Sequence, residues 1–161
     1  MADGKRKGSA KNKASDEFDQ RIVDIARVTR VTKGGKQMRF RASLALGDRK
    51  GRFGIGVAKG ADVAQAISKA TVQAKKNFVT LTFPSGTIPF PVVQKYGAAK
   101  ILLRAAPQGT GIKAGGPMRI VLELAGVPNV VGKMLGSKNK INNLRATVLA
   151  LMKFAQLGQK A

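Results

Sequence analysis

Apolar and polar positions alternate most cleanly over residues 38–46, where Met38, Phe40, Ala42, Leu44 and Leu46 interleave with Arg39, Arg41, Ser43 and Ala45. Period two over that length predicts a strand with one buried face. Residues 22–32 are rich in β-branched side chains but alternate imperfectly, so a second strand with a bulge is expected there. The tight glycine turn Lys33-Gly34-Gly35-Lys36 joins the two. A short loop, Gly47-Asp48-Arg49-Lys50-Gly51, leads to a third run in which Phe53, Ile55 and Val57 alternate with Arg52, Gly54 and Gly56. Two such short loops imply three antiparallel strands. Asp62 followed by Gln65 reads as a capping box, and Val63, Ile67, Ala70 and Ala74 then recur at helical spacing, predicting a helix over 62–77. Its stripe has to cover one face of the sheet. Parity then puts Arg39 and Arg41 on the other face, with Arg52 opposite its own strand's apolar set, so one sheet face is basic.

Residues 82–91 hold three of the six prolines, which excludes a central strand or helix interior and marks a boundary. Beyond it, 92–93 and 100–105 read as strands, with Ile101, Leu103 and Ala105 opposing Lys100, Leu102 and Arg104. A glycine loop over 109–117 places Pro117 at a first helical position, and a helix runs to about residue 125. A short strand over 130–135 follows. Asn139 caps a last helix with Ile141, Leu144, Val148, Leu151 and Ala155 as its stripe and Gly158 as its end. The fold class is therefore α+β in two small two-layer domains. The expected layout is a disordered basic arm over 1–20, a first domain over 21–80, a second over 87–157 and a short tail over 158–161.

Charge changes the picture most. Thirty Lys and Arg against eight Asp and Glu give +22, and after Asp62 the only acidic residue is Glu123. So much like charge on small domains implies a polyanionic partner, of which nucleic-acid phosphate is the usual one. The chain still folds, because 43% of its residues are apolar. Aromatics are scarce at 5%, so backbone contact rather than base stacking should dominate. With no His and no Cys, general acid–base, nucleophilic and thiolate–metal chemistry have little to work with, and neither an enzyme nor a cofactor is expected. No apolar run approaches the roughly 18 residues of a membrane helix, and the absence of Cys fits the cytoplasm. The acids Asp16, Glu17 and Asp19 read as solvated linker charge.

Two glycine stretches invite a nucleotide reading. Residues 51–56 have the wrong order for a dinucleotide fingerprint and lie in a predicted strand, so they mark close backbone approach instead. The loop over 109–116 precedes a helix but lacks the Gly-Lys-Ser/Thr end of a phosphate loop, and either RNA phosphate or a neighbouring protein would suit it.

Several segments, in order and spacing, closely resemble one family: residues 23–35, Gly47-Asp48 through Gly56, Gly109-Thr110-Gly111 with Ala114-Gly115-Gly116, residues 122–127, Gly136-Ser137, Ile141-Asn142 and Arg145-Ala146-Thr147. The family is bacterial small-subunit ribosomal protein S five. The resemblance implies a first domain like a double-stranded-RNA-binding module without its leading helix, a three-stranded antiparallel sheet with one helix. It implies a second domain of ββαβα type with a left-handed βαβ crossover. It further implies binding to 16S ribosomal RNA, contact with ribosomal proteins S four and S eight, and a share of the messenger-RNA entry channel and of translational accuracy. There would be no membrane or small-molecule partner, and the place would be the small ribosomal subunit in the cytoplasm. Candidate RNA contacts are Arg27, Arg30, Lys33, Gly34, Gly35, Lys36, Arg39, Arg41, Arg49, Lys50, Arg52, Lys59, Lys138, Lys140 and Arg145. Gly109, Thr110, Gly111 and Arg119 would face S four. A cation in the first turn of a helix opposes the macrodipole, so Arg119 needs compensation, either from outside or from Glu123 four residues on. Lys140 stands where the family usually has proline.

Overall fold

The computed structural model describes residues 18–83 and 85–158, with side chains through Phe154. The first unit comprises β1 (Asp19–Thr32), β2 (Gly35–Gly47), β3 (Arg52–Gly60), α1 (Val63–Lys76) and β4 (Phe78–Thr80), its strands antiparallel in the order β1-β2-β3-β4. The expected sheet of three strands is thus corrected to four. β4 pairs Thr80 with Arg52, and three residues are too few to show a period in sequence. The β1 bulge is real, since the register slips between Ile22 and Asp24 and leaves Val23 unmatched. β1 begins at Asp19, inside the segment expected to be a disordered arm, and the Phe18 ring lies 4.8 Å from that of Phe78. The rest of the arm, with Asp16 and Glu17, is outside the described residues. Asp19 is no linker charge: it pairs with Arg49 at 2.5 Å.

β3 turns its strand parity the opposite way from the sequence expectation. The buried residues of α1 are Ala66, Ala70 and Ala74, and they lie against Gly60, Gly56 and Gly54, where an added Cβ would meet the helix backbone. Alanines on glycines let α1 approach so closely that the glycine face of β3 is the helix face. Phe53 and Ile55 therefore point away from α1 and join Ala45 against the second unit, while Arg52 shares the α1 side with Gly54 rather than the side of Arg39 and Arg41. The expected capping box does not form: the Asp62 side chain makes no cap bond, and Gln65 Oε1 accepts not from the Asp62 amide but from that of Ala61, one residue before the cap, at 3.0 Å.

The second unit comprises β5 (Val92–Tyr96), β6 (Ala99–Ala105), β7 (Ile112–Lys113), α2 (Gly116–Ala125), β8 (Val130–Met134) and α3 (Lys140–Gly158), with strand order β5-β6-β8-β7. β7 is the correction here. Two residues inside the expected glycine loop pair in parallel with Val130 and Val131, so the ββαβα reading becomes βββαβα with a β7-α2-β8 crossover. Gly126 ends α2 in the left-handed region at φ 75. Asn139 caps α3 as expected, its Oδ1 accepting from the amides of Ile141 at 3.0 Å and Asn142 at 3.3 Å. Leu144 and Leu151 of the α3 stripe are fully buried and Val148 half-buried, while the side chain of Ala155 is outside the described set.

One core spans both units. Ala45, Phe53 and Leu81 of the first pack in the same cluster as Leu122, Leu124, Val127 and Leu151 of the second. The Arg49 amide donates to the Leu124 carbonyl at 3.0 Å, and Gly47 lies so close to Leu124 that a Cβ there would sit 2.8 Å from the leucine's own. Among the described residues, no helix is long and apolar enough to cross a membrane.

Candidate nucleic-acid interface

β3 ends opposite Phe40, so residues 28–32 of β1 and 35–39 of β2 pair only with each other. They form a two-stranded ribbon that runs on for roughly 15 Å past the sheet. Its tip is a two-residue turn, Lys33-Gly34, closed by Thr32 paired with Gly35 at φ 142. Thr32 Oγ1 donates to the Gly35 carbonyl at 3.1 Å. Lys33 and Lys36 are exposed there, and Val31 is 72% exposed, so no packing among the described residues holds this ribbon down. On the face away from α1, Val28, Arg30, Gln37, Arg39 and Lys59 line a cleft of about 230 Å³. Arg41 sits beside it, directly opposite Lys59 across the β2–β3 pair. Its Nε is buried and has no hydrogen-bond partner among the described residues. The two carboxylates that strand register puts on this face are both taken, Asp24 by Lys140 Nζ at 2.7 Å and Asp19 by Arg49. Arg27 pairs with Phe40 and faces the α1 side, apart from the cleft.

Other candidate cations are engaged within the protein. Arg49 pairs with Asp19, and Arg52 Nε donates to Asp48 Oδ2 at 2.7 Å with its guanidinium 5.4 Å from the Phe18 ring centre. Burial pushes the Asp48 carboxyl up. Hydrogen bonds from the Arg52 side chain and from the Lys50 and Arg52 amides outweigh it and hold the group below its ordinary value. The loop carrying Arg49, Lys50 and Arg52 is therefore a clasp between the units through the Arg49 backbone, and all three side chains remain exposed. Arg145 donates to the Tyr96 hydroxyl at 2.7 Å and stacks on its ring. Lys138 is exposed in the connection before α3.

Gly109 and Gly111 take φ 89 and φ 69 around Thr110, whose amide donates to Pro107 at 3.3 Å. The turn is tied down by a residue the sequence reading missed. Asn129 Oδ1 accepts from the Gly111 amide at 3.1 Å, Asn129 Nδ2 donates to the Gly86 carbonyl at 3.3 Å, and Thr87 Oγ1 donates to the Asn129 carbonyl at 2.8 Å. No short-range pattern marks an asparagine whose partners lie 18 and 43 residues away. Arg119 has its compensation inside the chain, its Nε 2.8 Å from Glu123 Oε1, and does not require an external acid. At 59% exposure the guanidinium stays accessible, and such a pair contributes only about 0.2–0.5 kcal/mol. Also missed were Lys95, Lys113 and Lys133, although the alternation over 100–105 had placed Lys100 and Arg104 together on one strand face.

Family profiles described as "Ribosomal protein S5, N-terminal domain" and "Ribosomal protein S5, C-terminal domain" match residues 18–82 and 94–161. The chain is 43% identical to "Small ribosomal subunit protein uS5" of Trichormus variabilis, covering 100% of this chain and 93% of that protein. It is 46% identical to the protein of the same name from Acaryochloris marina, covering 94% and 86%. It is 47% identical to "Small ribosomal subunit protein uS5c" of Spinacia oleracea over 95% of this chain, and spans 50% of the length of that relative.

Proposed function

Because the chain belongs to the ribosomal protein S5 family, we propose that its β1–β2 ribbon and the cleft at the ribbon's base hold 16S ribosomal RNA by its phosphates. Members of the family are structural constituents of the small ribosomal subunit rather than enzymes, in the cytoplasm or the chloroplast stroma, and this chain is one of them. The observation that carries the RNA reading is the unneutralised cluster: Arg30, Arg39, Arg41 and Lys59 share one face whose two strand carboxylates, Asp24 and Asp19, are committed to Lys140 and Arg49. Arg41 and Lys59 are held directly opposite each other, which costs stability unless an anion lies between them. The ammonium groups of Lys33 and Lys36 at the exposed ribbon tip carry positive charge further into solvent, Lys36 from the opposite face of the ribbon, and phosphate contact needs no entry into a groove.

The Gly109-Thr110-Gly111 turn, held rigid by Asn129, with exposed Arg119, serves contact with ribosomal protein S four. The end of the molecule carrying α3 serves contact with S eight. Through that position the protein shares in the messenger-RNA entry channel and in accuracy. RNA binding is tested with the double substitution Lys33→Ala, Lys36→Ala. Each phosphate contact contributes roughly 0.7–0.9 to the slope of log K against log salt, so the slope should shrink by up to about 2. An unchanged slope with unchanged affinity would remove the ribbon from the interface.

A further inference from the structure

The outer face of the second sheet, which no helix covers, carries a lattice of cations. α2 and α3 pack on the face built from Val92, Ile101, Leu103 and Val130. On the other face, strand register sets Lys95 of β5 directly opposite Lys100 of β6. It also sets Val131 of β8 between Arg104 of β6 and Lys113 of β7. Between these two rows lies a third, Val93, Leu102 and Lys133. Lys100 and Arg104 are four residues apart on one strand, so the outer rows are separated by about 13 Å. Val93 is 50% exposed, and all five cations are exposed.

The domain cannot neutralise this surface itself. Glu123 is the only acidic residue after Asp62, and Arg119 on α2 holds it. None of the described ion pairs includes any of the five. Like charges directly opposite on a sheet are destabilising, and no core contact requires a lysine at an exposed strand position. We propose that this face is a second RNA-binding surface, on which the phosphodiester backbone of folded RNA crosses the strands and places phosphates over the Lys95–Lys100 and Arg104–Lys113 rows. An acidic protein patch is the poorer fit. Protein interfaces are depleted of lysine at their centres and anchored by aromatic side chains, whereas this face has four lysines, one arginine and no ring. Phosphate contact by Lys and Arg is, by contrast, the main mode of nucleic-acid positioning. The inference rests on the reading of the chain as an RNA binder, but on a surface separate from the ribbon.

The test uses the full chain, a 16S ribosomal RNA transcript and the triple variant Lys95→Gln, Lys100→Gln, Lys133→Gln. The salt slope of binding should fall by about 2, at roughly 0.7–0.9 per contact. The thermal midpoint of the free variant should equal or exceed that of the wild type, because the like-charge contact is relieved. An unchanged slope beside normal wild-type binding overturns the second surface and leaves the ribbon reading intact. Failure of the wild type to bind the transcript overturns both. Lysine acetylation supplies an independent readout: protection of Lys95, Lys100 and Lys133 in the RNA complex supports the proposal. Protection only in assembled subunits, with full reactivity on the transcript, assigns the face to a protein and overturns it.

Discussion

Asp48 shows how much of the charge chemistry is local. Its carboxylate is 5% exposed and accepts from the Lys50 amide at 2.7 Å, the Arg52 amide at 3.0 Å and Arg52 Nε at 2.7 Å. Those bonds favour the ionised form over the desolvation that opposes it, so the folded-state value lies below the ordinary 3.8. A depressed carboxylate contributes stability that is present above its unfolded value and is lost as pH falls through its folded one. Asp48→Asn should therefore cost about 1–3 kcal/mol at neutral pH. That gap from wild type should hold down to about pH 4 and close below it. Urea midpoints of both proteins across a pH series check this. A gap that stayed constant at the acid end would show that the carboxylate's charge contributes nothing.

At the scale of elements, the α1–β3 contact carries the most specific constraint. A Cβ on Gly56 would press into the Ala70 carbonyl, which is rigid helix backbone and cannot yield as a flexible side chain would. Gly56→Ala should destabilise by about 3 kcal/mol, the upper part of the range for overpacking. Gly34→Ala, with nothing within 4 Å of its added methyl, should change stability little. Denaturant midpoints of the two variants make the comparison, and equal midpoints would mean that α1 shifts freely. The same contact explains where sequence reading stopped. β2 was legible because Ala42, Leu44 and Leu46 are all buried on one face. β3 read with its faces exchanged, because hydrophobic periodicity weighs Phe53 and Ile55 and is blind to glycines chosen for what approaches them. β4 and β7 are three and two residues long and exist only through their partners. At the site, the glycine turn and its lysines were visible locally. The engagement of Arg49 and Lys140 was not, since their carboxylates lie 30 and 116 residues away in sequence. The Arg119–Glu123 pair, four apart on one helix, was readable as one of two alternatives.

At the scale of the whole molecule, the two sheets are neither independent nor self-sufficient. Domains of 60 to 80 residues are marginal when alone, but here Phe53 and Ala45 share a cluster with Leu124 and Leu151, and Lys140 ties α3 to Asp24 of β1. Unfolding one unit would expose the core of the other, so thermal unfolding should be a single transition. A net charge of +22 opposes that compact state through self-repulsion. Added salt should thus raise the midpoint of the free protein by screening. Ribosomal RNA should raise it further, because binding only the folded form adds about 2.7 kcal/mol of stability at a hundredfold excess over Kd. Salt acts in opposite directions on the two terms, because it relieves repulsion in the free chain and weakens phosphate contacts in the complex. The midpoints with and without RNA should therefore converge as ionic strength rises. Calorimetry across a salt series reads all of this at once. Two resolved transitions in the free protein would refute the shared core, and parallel rather than converging midpoints would show that phosphate contacts are not what stabilises the complex.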